Sequence, residues 1–381
     1  MDEIYLDNNA TTRVAPEVVA GMLPYFNEFY GNPSSIHRAG QRARKALDDA
    51  RMGVCGLIDC NEVEFTFTGG GTESVNTAIR GILAARAPRR KIITSTVEHS
   101  ATRELCQQLQ REGIEVVWVE VDGSGQLNMD QLVSALDEQT ALVSLIWANN
   151  ETGVISPIEQ VAALCQEKKI PIHCDGTQAV GKIPIHLRQV PINAMSFTPH
   201  KFHGPKGIGG LYIRRGTRMK SLLLGGPQEM GRRGGTENVP SAIGFGIAAQ
   251  LAKTSLEKLP QIAALRDRLE SSILRLIPET RVNGSVENRV GNTTNISFRR
   301  LEAEAILLLL SEKGVCASAG SACSSGSLEA SQVIKAMKVD ETYAHGAIRF
   351  SLSRYTTEAE INYALEVLPI VIQKLRAVLP V

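Results

Sequence analysis

Short apolar or alternating stretches, each long enough for one β-strand, recur through the first half of the chain. They cover residues 62–68, 91–95, 114–119, 141–147, 170–174, 194–197 and 209–213. Stretches of helical period separate several of them, at about residues 74–86, 101–112, 129–136 and 157–168. Because strands alternate with helices, the pattern predicts an α/β fold in which helices cover both faces of a mostly parallel, seven-stranded sheet.

The rest of the chain has a different pattern. At the N-terminus, residues 4–6 form a predicted strand, and Pro16 opens a predicted helix that runs to about residue 29. A loop at 214–238 leads into an apolar helix from about Val239, and a helix at about 255–277 leads to a second unit. That unit has strand patterns near 294–298, 314–317 and 347–352, and helical patterns near 302–312, 331–337 and 358–378. A chain of 381 residues exceeds the usual size of one domain, so we predict a large domain at residues 15–255 and a smaller α+β domain formed by residues 1–14 and 256–381.

The net charge, the N-terminal sequence and the cysteine spacing exclude several classes of function. The formal net charge is +1, so no overall field would attract nucleic acid or an anionic membrane. The N-terminus is acidic, unlike a signal peptide, and the aliphatic run at 305–310 is too short to cross a bilayer. Seven cysteines without a CxxC pair predict neither a disulfide framework nor a zinc site. We expect a cytoplasmic protein without a metal centre and without nucleic-acid or membrane partners.

The candidate chemistry centres on Lys201. This residue follows the apolar stretch 194–197 and precedes a turn rich in glycine and proline, with Thr198 and His200 beside it. At the end of a strand its amine would be partly desolvated. Desolvation lowers the pKa of a lysine and frees the amine to act as a nucleophile or to form a Schiff base. A surface loop with two basic residues is the alternative.

Other polar residues also follow predicted strands. The run Gly69-Gly70-Gly71-Thr72 precedes a helix, so its backbone N–H groups would hold a phosphate, unless it is a glycine-rich turn without a ligand. Asp175 ends an apolar stretch, either as the partner of a buried cation or as a helix N-cap. His99 and Asn150 follow two further strands, where each would also be ordinary in a loop.

Binding sites of parallel α/β sheets form at the carboxyl ends of the strands, so these residues should converge around Lys201. A phosphate-binding turn, a carboxylate, a stacking imidazole and an amine that forms a Schiff base are the groups that pyridoxal 5′-phosphate requires. In that set the lysine bonds the cofactor, and Asp175 keeps the pyridine nitrogen protonated. The pattern therefore predicts a pyridoxal-phosphate enzyme.

A second reactive group is predicted at Cys323, within the small-residue segment 317–327. No side chain in that segment is larger than that of cysteine, and such a composition favours a mobile loop. An accessible thiol on such a loop is a candidate nucleophile. The alternative is a linker that happens to be rich in small residues.

Several motifs are spread along the chain: Tyr5-Leu6-Asp7-Asn8-Asn9-Ala10-Thr11-Thr12, Gly31-Asn32-Pro33-Ser34-Ser35, Glu98-His99, Asn149-Asn150-Glu151, Asp175-Gly176-Thr177-Gln178, His200-Lys201 and Gly320-Ser321-Ala322-Cys323. Together they resemble the pyridoxal-phosphate cysteine desulfurases of the NifS/IscS type, which have the class V aminotransferase fold, known as fold type I. The resemblance runs nearly end to end, and the combination of motifs is specific.

The resemblance implies a role for each matching residue. Lys201 would bond the cofactor, His99 would stack on its ring, and Asp175 would pair with the pyridine nitrogen. Further cofactor contacts would come from Asn150 and Gln178 at the ring oxygen, and from Gly71, Thr72, Thr198 and His200 at the phosphate. Thr198 stands where many members have serine, and it keeps the hydroxyl group.

The resemblance also implies substrate contacts and a subunit partner. Arg349 would bind the substrate carboxylate with its guanidinium fork, and Asn32 would contact the substrate as well. Thr236, in the segment 233–238, would reach the phosphate bound by the neighbouring subunit, which implies a homodimer.

The implied reaction is the desulfuration of L-cysteine to L-alanine. Lys201 would remove the α-proton, Cys323 would attack the substrate sulfur and keep a persulfide, and His99 would assist the thiol. The persulfide would pass to an acceptor protein, such as an iron–sulfur scaffold or a tRNA-thiolation protein. Alternatives are a selenocysteine lyase, another class V pyridoxal-phosphate enzyme, and a non-catalytic sulfur-carrier scaffold on the same fold.

Overall fold

The computed structural model describes residues 3–320 and 329–378. The strands are β1 (Ile4–Tyr5), β2 (Phe65–Thr68), β3 (Lys91–Ser95), β4 (Glu115–Val119), β5 (Thr140–Ile146), β6 (Ile172–Asp175), β7 (Ala194–Phe197), β8 (Gly209–Ile213), β9 (Thr280–Val282), β10 (Thr293–Phe298), β11 (Val315–Cys316) and β12 (Ala347–Ser351). The α-helices are α1 (Pro16–Met22), α2 (Pro24–Asn27), α3 (Arg38–Ile58), α4 (Gly71–Ala85), α5 (Ser100–Arg111), α6 (Met129–Ala135), α7 (Ile158–Glu167), α8 (Val239–Ser255), α9 (Leu259–Leu276), α10 (Ala303–Glu312), α11 (Gln332–Ala336), α12 (Glu341–Ala344) and α13 (Glu358–Val378). Within these described ranges, no helix is both long and apolar enough to cross a membrane.

Seven strands form a central sheet in the order β2-β8-β7-β6-β5-β3-β4. β8 is antiparallel to both of its neighbours, and the other pairs of this sheet are parallel. Since β8 reverses the direction, β2 on its far side runs the same way as β7. Every residue of β3, β5, β6, β7 and β8 is buried, as expected for strands covered on both faces. The predicted α/β fold with a mostly parallel, seven-stranded sheet is confirmed.

The C-terminal part of the chain builds two smaller sheets. β12, β10 and β9 form an antiparallel sheet in that order, and β1 pairs in parallel with β11. A separate apolar cluster joins Ile4 and Leu6 to side chains of α9, α10 and α13. The start of the chain therefore packs with its end. The predicted division into domains at 15–255 and at 1–14 with 256–381 stays a prediction.

Some element boundaries differ from the predictions. The predicted helix at 16–29 is two helices, because Leu23 ends α1 and Pro24 begins α2. The predicted strand at 62–68 begins with the 3-10 turn Glu62–Glu64, which a reciprocal capping box between Asn61 and Glu64 stabilises. β9 was not predicted, because its three residues are all half-buried and have no alternating pattern.

A buried ion pair ties the edge of the central sheet to α3. The two terminal nitrogens of Arg51 donate to the carboxylate of Glu229 at 2.9 and 2.7 Å, and Nη1 also donates to the Phe65 carbonyl at 2.9 Å. Glu229 in turn accepts a hydrogen bond from the Phe67 backbone at 2.8 Å. Both charged side chains are buried. The pair therefore connects α3, β2 and the turn Gln228–Gly231.

Arg51→Leu should lower the free energy of unfolding by about 3–5 kcal/mol, because it leaves the Glu229 carboxylate buried without a cation. The double variant Arg51→Leu/Glu229→Leu should recover part of that loss, because no unpaired charge remains. Urea unfolding followed by circular dichroism measures both. The exposed pair of Lys45 and Asp49 provides the control, since Lys45→Leu should cost less than about 1 kcal/mol. A similar cost for Arg51→Leu and Lys45→Leu would contradict the structural role of the buried pair.

Candidate functional site

The candidate site lies at the carboxyl edge of the central sheet, where β2, β3, β5, β6 and β7 all end. A cavity of about 240 Å³ opens there. Ten of the residues singled out in the sequence line it: Gly71, Thr72, His99, Asn150, Asp175, Gln178, Thr198, His200, Lys201 and Arg349. The common direction of the strands brings these distant residues together.

One end of the cavity is the N-terminus of α4. Gly70 precedes this helix in an extended conformation, and no side chain of the described residues caps it. A Cβ atom at Gly70 would have no described heavy atom within 4 Å, so there is open space beside this residue, although the Glu73 carboxylate accepts from the Gly69 N–H at 2.8 Å. The uncapped N–H groups and the helix dipole together make this end suitable for an anion such as phosphate.

Thr198 and His200 also line the cavity, and Thr198 lies beside Gly71. The hydroxyl group of Thr198 donates to the Ile208 carbonyl at 3.0 Å, so its oxygen keeps only acceptor capacity for other partners. Nδ1 of His200 lies 3.1 Å from the hydroxyl oxygen of Thr11. Burial first, and then neighbouring lysines with Lys201 foremost, lower the pKa of His200 to about 3. His200 is therefore neutral at physiological pH.

His99 is the N-cap residue of α5, four positions after β3 ends. Its Nδ1 accepts a hydrogen bond from the Ala101 backbone at 3.2 Å, so the proton of the neutral ring is on Nε2. Burial lowers the pKa of His99. The negative charge of Asp175 raises this pKa again in part, and the positive charge of Lys201 lowers it. A neutral imidazole fixed in the cavity wall is suited to stacking on a planar ring.

Asp175 is the last residue of β6 and is 3% exposed. Its Oδ1 accepts a hydrogen bond from the Thr177 backbone at 3.0 Å, which closes a tight turn. The alternative interpretation as a helix N-cap is wrong, because the described chain has no α-helix between β6 and β7. A buried carboxylate that lines the cavity is suited to a cationic partner there.

Lys201 ends the 3-10 turn Pro199–Lys201, which follows β7. Its Nζ donates to the carbonyl oxygens of Asn9 and Ala10, at 2.8 and 2.7 Å. The side chain is half-buried, as the position after an apolar strand predicts. Sequence reasoning did not assign a role to Asn9 or Ala10, because they lie 192 and 191 positions before the lysine.

Arg349 and Asn150 form another wall of the cavity. Arg349 is 2% exposed, and it donates from Nη1 to the Asn150 carbonyl at 2.9 Å and from Nη2 to Oδ1 of Asp7 at 2.7 Å. The side-chain Oδ1 of Asn150 is buried and has no hydrogen-bond partner among the described residues. Leaving such an atom unsatisfied costs about 1–3 kcal/mol, so this amide in the cavity wall is suited to contact a ligand.

Three predicted site residues do not line this cavity in the described structure. Asn32 and Thr236 are both exposed, and Asn32 accepts a hydrogen bond from the Ser34 backbone at 2.9 Å. Cys323 lies outside the described residues. The roles assigned to these three residues stay predictions.

Glu98, next to His99, is a buried acid to which sequence reasoning gave no role. Its Oε1 accepts from the Ser95 hydroxyl at 2.6 Å and from the Ile146 backbone at 2.9 Å, and its Oε2 has no partner among the described residues. Burial raises the pKa of Glu98 to about 8. Only the motif Glu98-His99 signalled its importance.

In the part of the chain that the structure describes, no group of three or more His, Cys, Asp or Glu side chains is placed to hold a metal ion.

The chain is similar to proteins of known type along its whole length. The family model described as aminotransferase class-V matches residues 4–364. "Cysteine desulfurase 2" of Trichormus variabilis is 52% identical over 380 residues, which cover 100% of this chain and 96% of that protein. "Cysteine desulfurase NifS" of Azotobacter vinelandii is 49% identical, with 100% of this chain and 95% of that protein covered.

Solved structures have the same fold. A "NifS-like protein" superposes with a TM-score of 0.92 at 36% identity, covering 98% of this chain and 100% of the other. The structure described as "SspA in complex with cysteine" superposes with a TM-score of 0.82 at 31% identity, covering 93% of this chain and 99% of the other. The similarity therefore extends over the central sheet, the cavity and the C-terminal part.

Glu98→Gln should remove a pH dependence of stability between about pH 4 and pH 8. The folded chain keeps the carboxyl proton up to about pH 8, whereas an unfolded glutamate loses it near pH 4. The folded state therefore binds more protons in this interval, so the unfolding free energy of the parent falls as pH rises, by at most about 1.4 kcal/mol per pH unit. Urea unfolding between about pH 5 and pH 9 should show the Gln variant gaining stability relative to the parent until about pH 8. A constant difference across this range would contradict the buried, protonated state of Glu98.

Proposed function

This chain belongs to the class-V aminotransferase family, and on that premise we propose that it is a pyridoxal-phosphate-dependent cysteine desulfurase. It converts L-cysteine to L-alanine and leaves the sulfur as a persulfide on Cys323. The observation that carries the proposal is one cavity in which Lys201, Asp175 and His99 lie together at the N-terminus of a helix. Relatives named cysteine desulfurase, about half identical over the whole chain, support the choice of substrate.

The cavity fits pyridoxal phosphate. The uncapped N-terminus of α4 suits the phosphate group, and the neutral ring of His99 suits stacking. Asp175 would pair with the pyridine nitrogen, and the amide nitrogen of Asn150, which also lines the cavity, would donate to the ring oxygen. When bound, the cofactor supplies an aldehyde that bonds amines and a ring that accepts the electron pair of a broken Cα–H bond.

Lys201 and Arg349 then act on the substrate. Lys201 holds the cofactor through Nζ and, once the substrate amine displaces it, takes the substrate α-proton on the same nitrogen. The carbonyl oxygens of Asn9 and Ala10 keep this nitrogen at the cavity in the structure. Arg349 binds the substrate carboxylate. Its buried Nε has no partner among the described residues, so this N–H donor is available to a ligand.

Cys323 removes the sulfur. Its Sγ attacks the sulfur atom of L-cysteine, so a sulfur–sulfur bond forms while the carbon–sulfur bond breaks and its electron pair stays with the carbon. Protonation of that carbon, together with return of the α-proton from Lys201 to the α-carbon, gives L-alanine, and the persulfide remains on the protein. An ordinary thiol, with a pKa of about 8.5, is mostly protonated at neutral pH. His99 accepts its proton only if Nδ1 gives up the hydrogen bond from the Ala101 backbone, because Nε2 already carries a proton. We place Cys323 in the smaller proposed domain, at 1–14 and 256–381, and most of the cavity in the larger one, at 15–255.

The same proposal includes a homodimer. Large apolar side chains are exposed at Tyr30 and Ile36, which are 77% and 92% exposed and flank Asn32. Leu224 is 87% exposed, and the neighbouring Leu223 carbonyl accepts from the Gly234 backbone at 3.0 Å, just before Thr236. Large contiguous apolar patches are typical of interfaces, and the proposal assigns these side chains to one such patch. A second copy covering them would explain why neither Asn32 nor Thr236 reaches the cavity of its own chain.

The sulfur acceptor stays a prediction: an iron–sulfur scaffold protein or a tRNA-thiolation protein would take the persulfide. The alternative substrate, L-selenocysteine, is distinguished by measuring alanine release from both amino acids under the same conditions. Faster turnover of L-cysteine supports the desulfurase. Turnover of L-selenocysteine alone would favour a selenocysteine lyase.

Lys201→Ala should abolish covalent retention of the cofactor and lower alanine release at least about 10³-fold, because it removes both the attachment point and the base. Mass spectrometry after borohydride reduction should find the cofactor mass on the parent and not on the variant. Lys206→Ala is the matched control, since Lys206 is exposed five positions further on and should keep the activity. A Lys201→Ala protein that turned over L-cysteine at the parental rate would sink the cofactor assignment.

Cys323→Ser should separate cofactor binding from sulfur removal. The cofactor absorption should still change when L-cysteine is added, because Lys201 and the cavity are intact. Alanine release should fall at least about 10³-fold and no persulfide should form, because a hydroxyl group is a far weaker nucleophile towards sulfur than a thiolate. Cys316→Ser, at a cysteine on β11, should keep full alanine release. If Cys323→Ser released alanine as fast as Cys316→Ser, the proposed nucleophile would be wrong.

A further inference from the structure

Lys182 is a buried lysine that the proposed chemistry does not use. It is 7% exposed, in the connection between β6 and β7. Its Nζ donates to Oδ1 of Asn9 at 2.6 Å and to Oε1 of Gln178. Burial lowers the pKa of Lys182 well below its ordinary value, and Lys201 and Arg349 lower it further. Its place four positions after Gln178 is the only sign of this residue in the sequence.

We propose that Lys182 is a positioning residue that fixes the side-chain amide of Gln178 with an N–H group towards the cofactor. The inference rests on the proposed function, in which Gln178 contacts the ring oxygen of pyridoxal phosphate. In the structure Lys182 donates through N–H bonds to both amide oxygens. Gln178 must therefore turn its oxygen to Lys182 and its nitrogen away from it.

The other contacts of Gln178 determine where its nitrogen points. Nε2 donates one hydrogen to the Asn9 carbonyl at 2.9 Å. Gln178 also lines the cavity, so the second hydrogen of Nε2 is available to a ligand there. An oxygen-containing group of the cofactor needs such a donor, whereas the amide oxygen in the same place would repel it.

The surroundings of Asn9 prevent a simultaneous flip of both amides. Oδ1 of Asn9 also accepts from the Asn292 side chain at 3.2 Å. Nδ2 of Asn9 donates to the Asn150 carbonyl at 3.2 Å and to the Thr293 hydroxyl at 2.9 Å. Reversing Asn9 would place donor against donor and acceptor against acceptor at these contacts. Lys182 therefore sets the direction of a hydrogen-bond chain that is fixed at its other end.

Removing the amine should release the Gln178 amide. Lys182→Met keeps the length of the side chain but leaves the oxygens of Gln178 and Asn9 without their buried donor. The Gln178 amide then gains by rotating towards other donors, and the cavity loses an N–H group. The loss of one such hydrogen bond corresponds to about tenfold weaker binding of the cofactor.

A double-mutant cycle tests this coupling in the full-length chain. The dissociation constant of pyridoxal 5′-phosphate and its absorption maximum are measured for the parent, Lys182→Met, Gln178→Leu and the double variant, together with the melting temperature of each apo protein. Each single variant should bind about tenfold more weakly, with the same direction of absorption shift. The double variant should bind within about twofold of Gln178→Leu alone, because Lys182 acts through Gln178. The inference would be overturned if Lys182→Met weakened cofactor binding equally in the parent and in the Gln178→Leu variant, or if it weakened binding in neither.

Two further variants test whether the effect is only structural. Lys182→Arg keeps the donors, and the small adjoining cavity of about 50 Å³ leaves room for the larger group. It should bind the cofactor within about threefold of the parent with an unshifted absorption maximum, even where Lys182→Met does not fold. A folded Lys182→Arg protein that lost as much affinity as Lys182→Met would overturn the inference.

Lys91→Met is the matched control for losing a buried lysine. Lys91 is buried too, but it bonds Asp137 at 2.6 Å and begins β3, at the edge of the sheet away from the cavity. Its replacement should lower the melting temperature and leave the dissociation constant unchanged. A parent chain that failed to bind pyridoxal phosphate would refute the proposed function together with this inference. The inference alone would be refuted if the parent binds pyridoxal phosphate and turns over L-cysteine, while the two substitutions weaken cofactor binding independently of each other.

Discussion

The buried side chain of Asn9 is the connection on which the site depends. It is 2% exposed, and its backbone N–H donates to the Ser351 hydroxyl of β12 at 2.9 Å while its amide reaches Thr293 of β10 at 2.9 Å. Its carbonyl oxygen accepts from Lys201, at the edge of the central sheet. Each of these groups would cost about 1–3 kcal/mol if it were buried without a partner. Losing any one of these hydrogen bonds is therefore unfavourable, and the set is stable as a whole. One residue of the N-terminal segment thus fixes the small antiparallel sheet against the lysine of the large one.

Much of the fold was predictable because the central strands are short apolar runs bounded by breakers. β3, β7, β8 and α13 have the predicted bounds, since burial on both faces leaves a continuous apolar stretch and an amphipathic helix leaves a clear period. β9 was missed, because a half-buried strand of three residues carries neither signal. The break at Leu23 was also missed, because the choice between one bent helix and two is made by packing rather than by the local pattern.

The site was predictable where its residues follow strands, and it was not predictable where distant hydrogen bonds define it. Asp175, His99 and Lys201 were found because the carboxyl ends of parallel strands meet at one edge. The carbonyl oxygens of Asn9 and Ala10 and the amine of Lys182 were not found, because backbone acceptors and buried donors leave no mark in composition or period. The resemblance supplied Arg349, which ordinary sequence reasoning would have left as one basic residue on a strand.

The charges around the cavity explain why an anionic cofactor and an anionic substrate group suit it. Burial lowers the pKa of Lys182, and Lys201 and Arg349 lower it further, so these cations repel one another in a desolvated region. Burial and the neighbouring lysines lower the pKa of His200, so its ring is neutral at physiological pH. Glu98 does not offset the positive charge, because burial raises its pKa to about 8 and keeps it protonated. Asp7 already pairs with Arg349, and Asp175 lies in the cavity wall, so a phosphate group at α4 and a carboxylate at Arg349 would relieve the part of this repulsion that these two carboxylates leave.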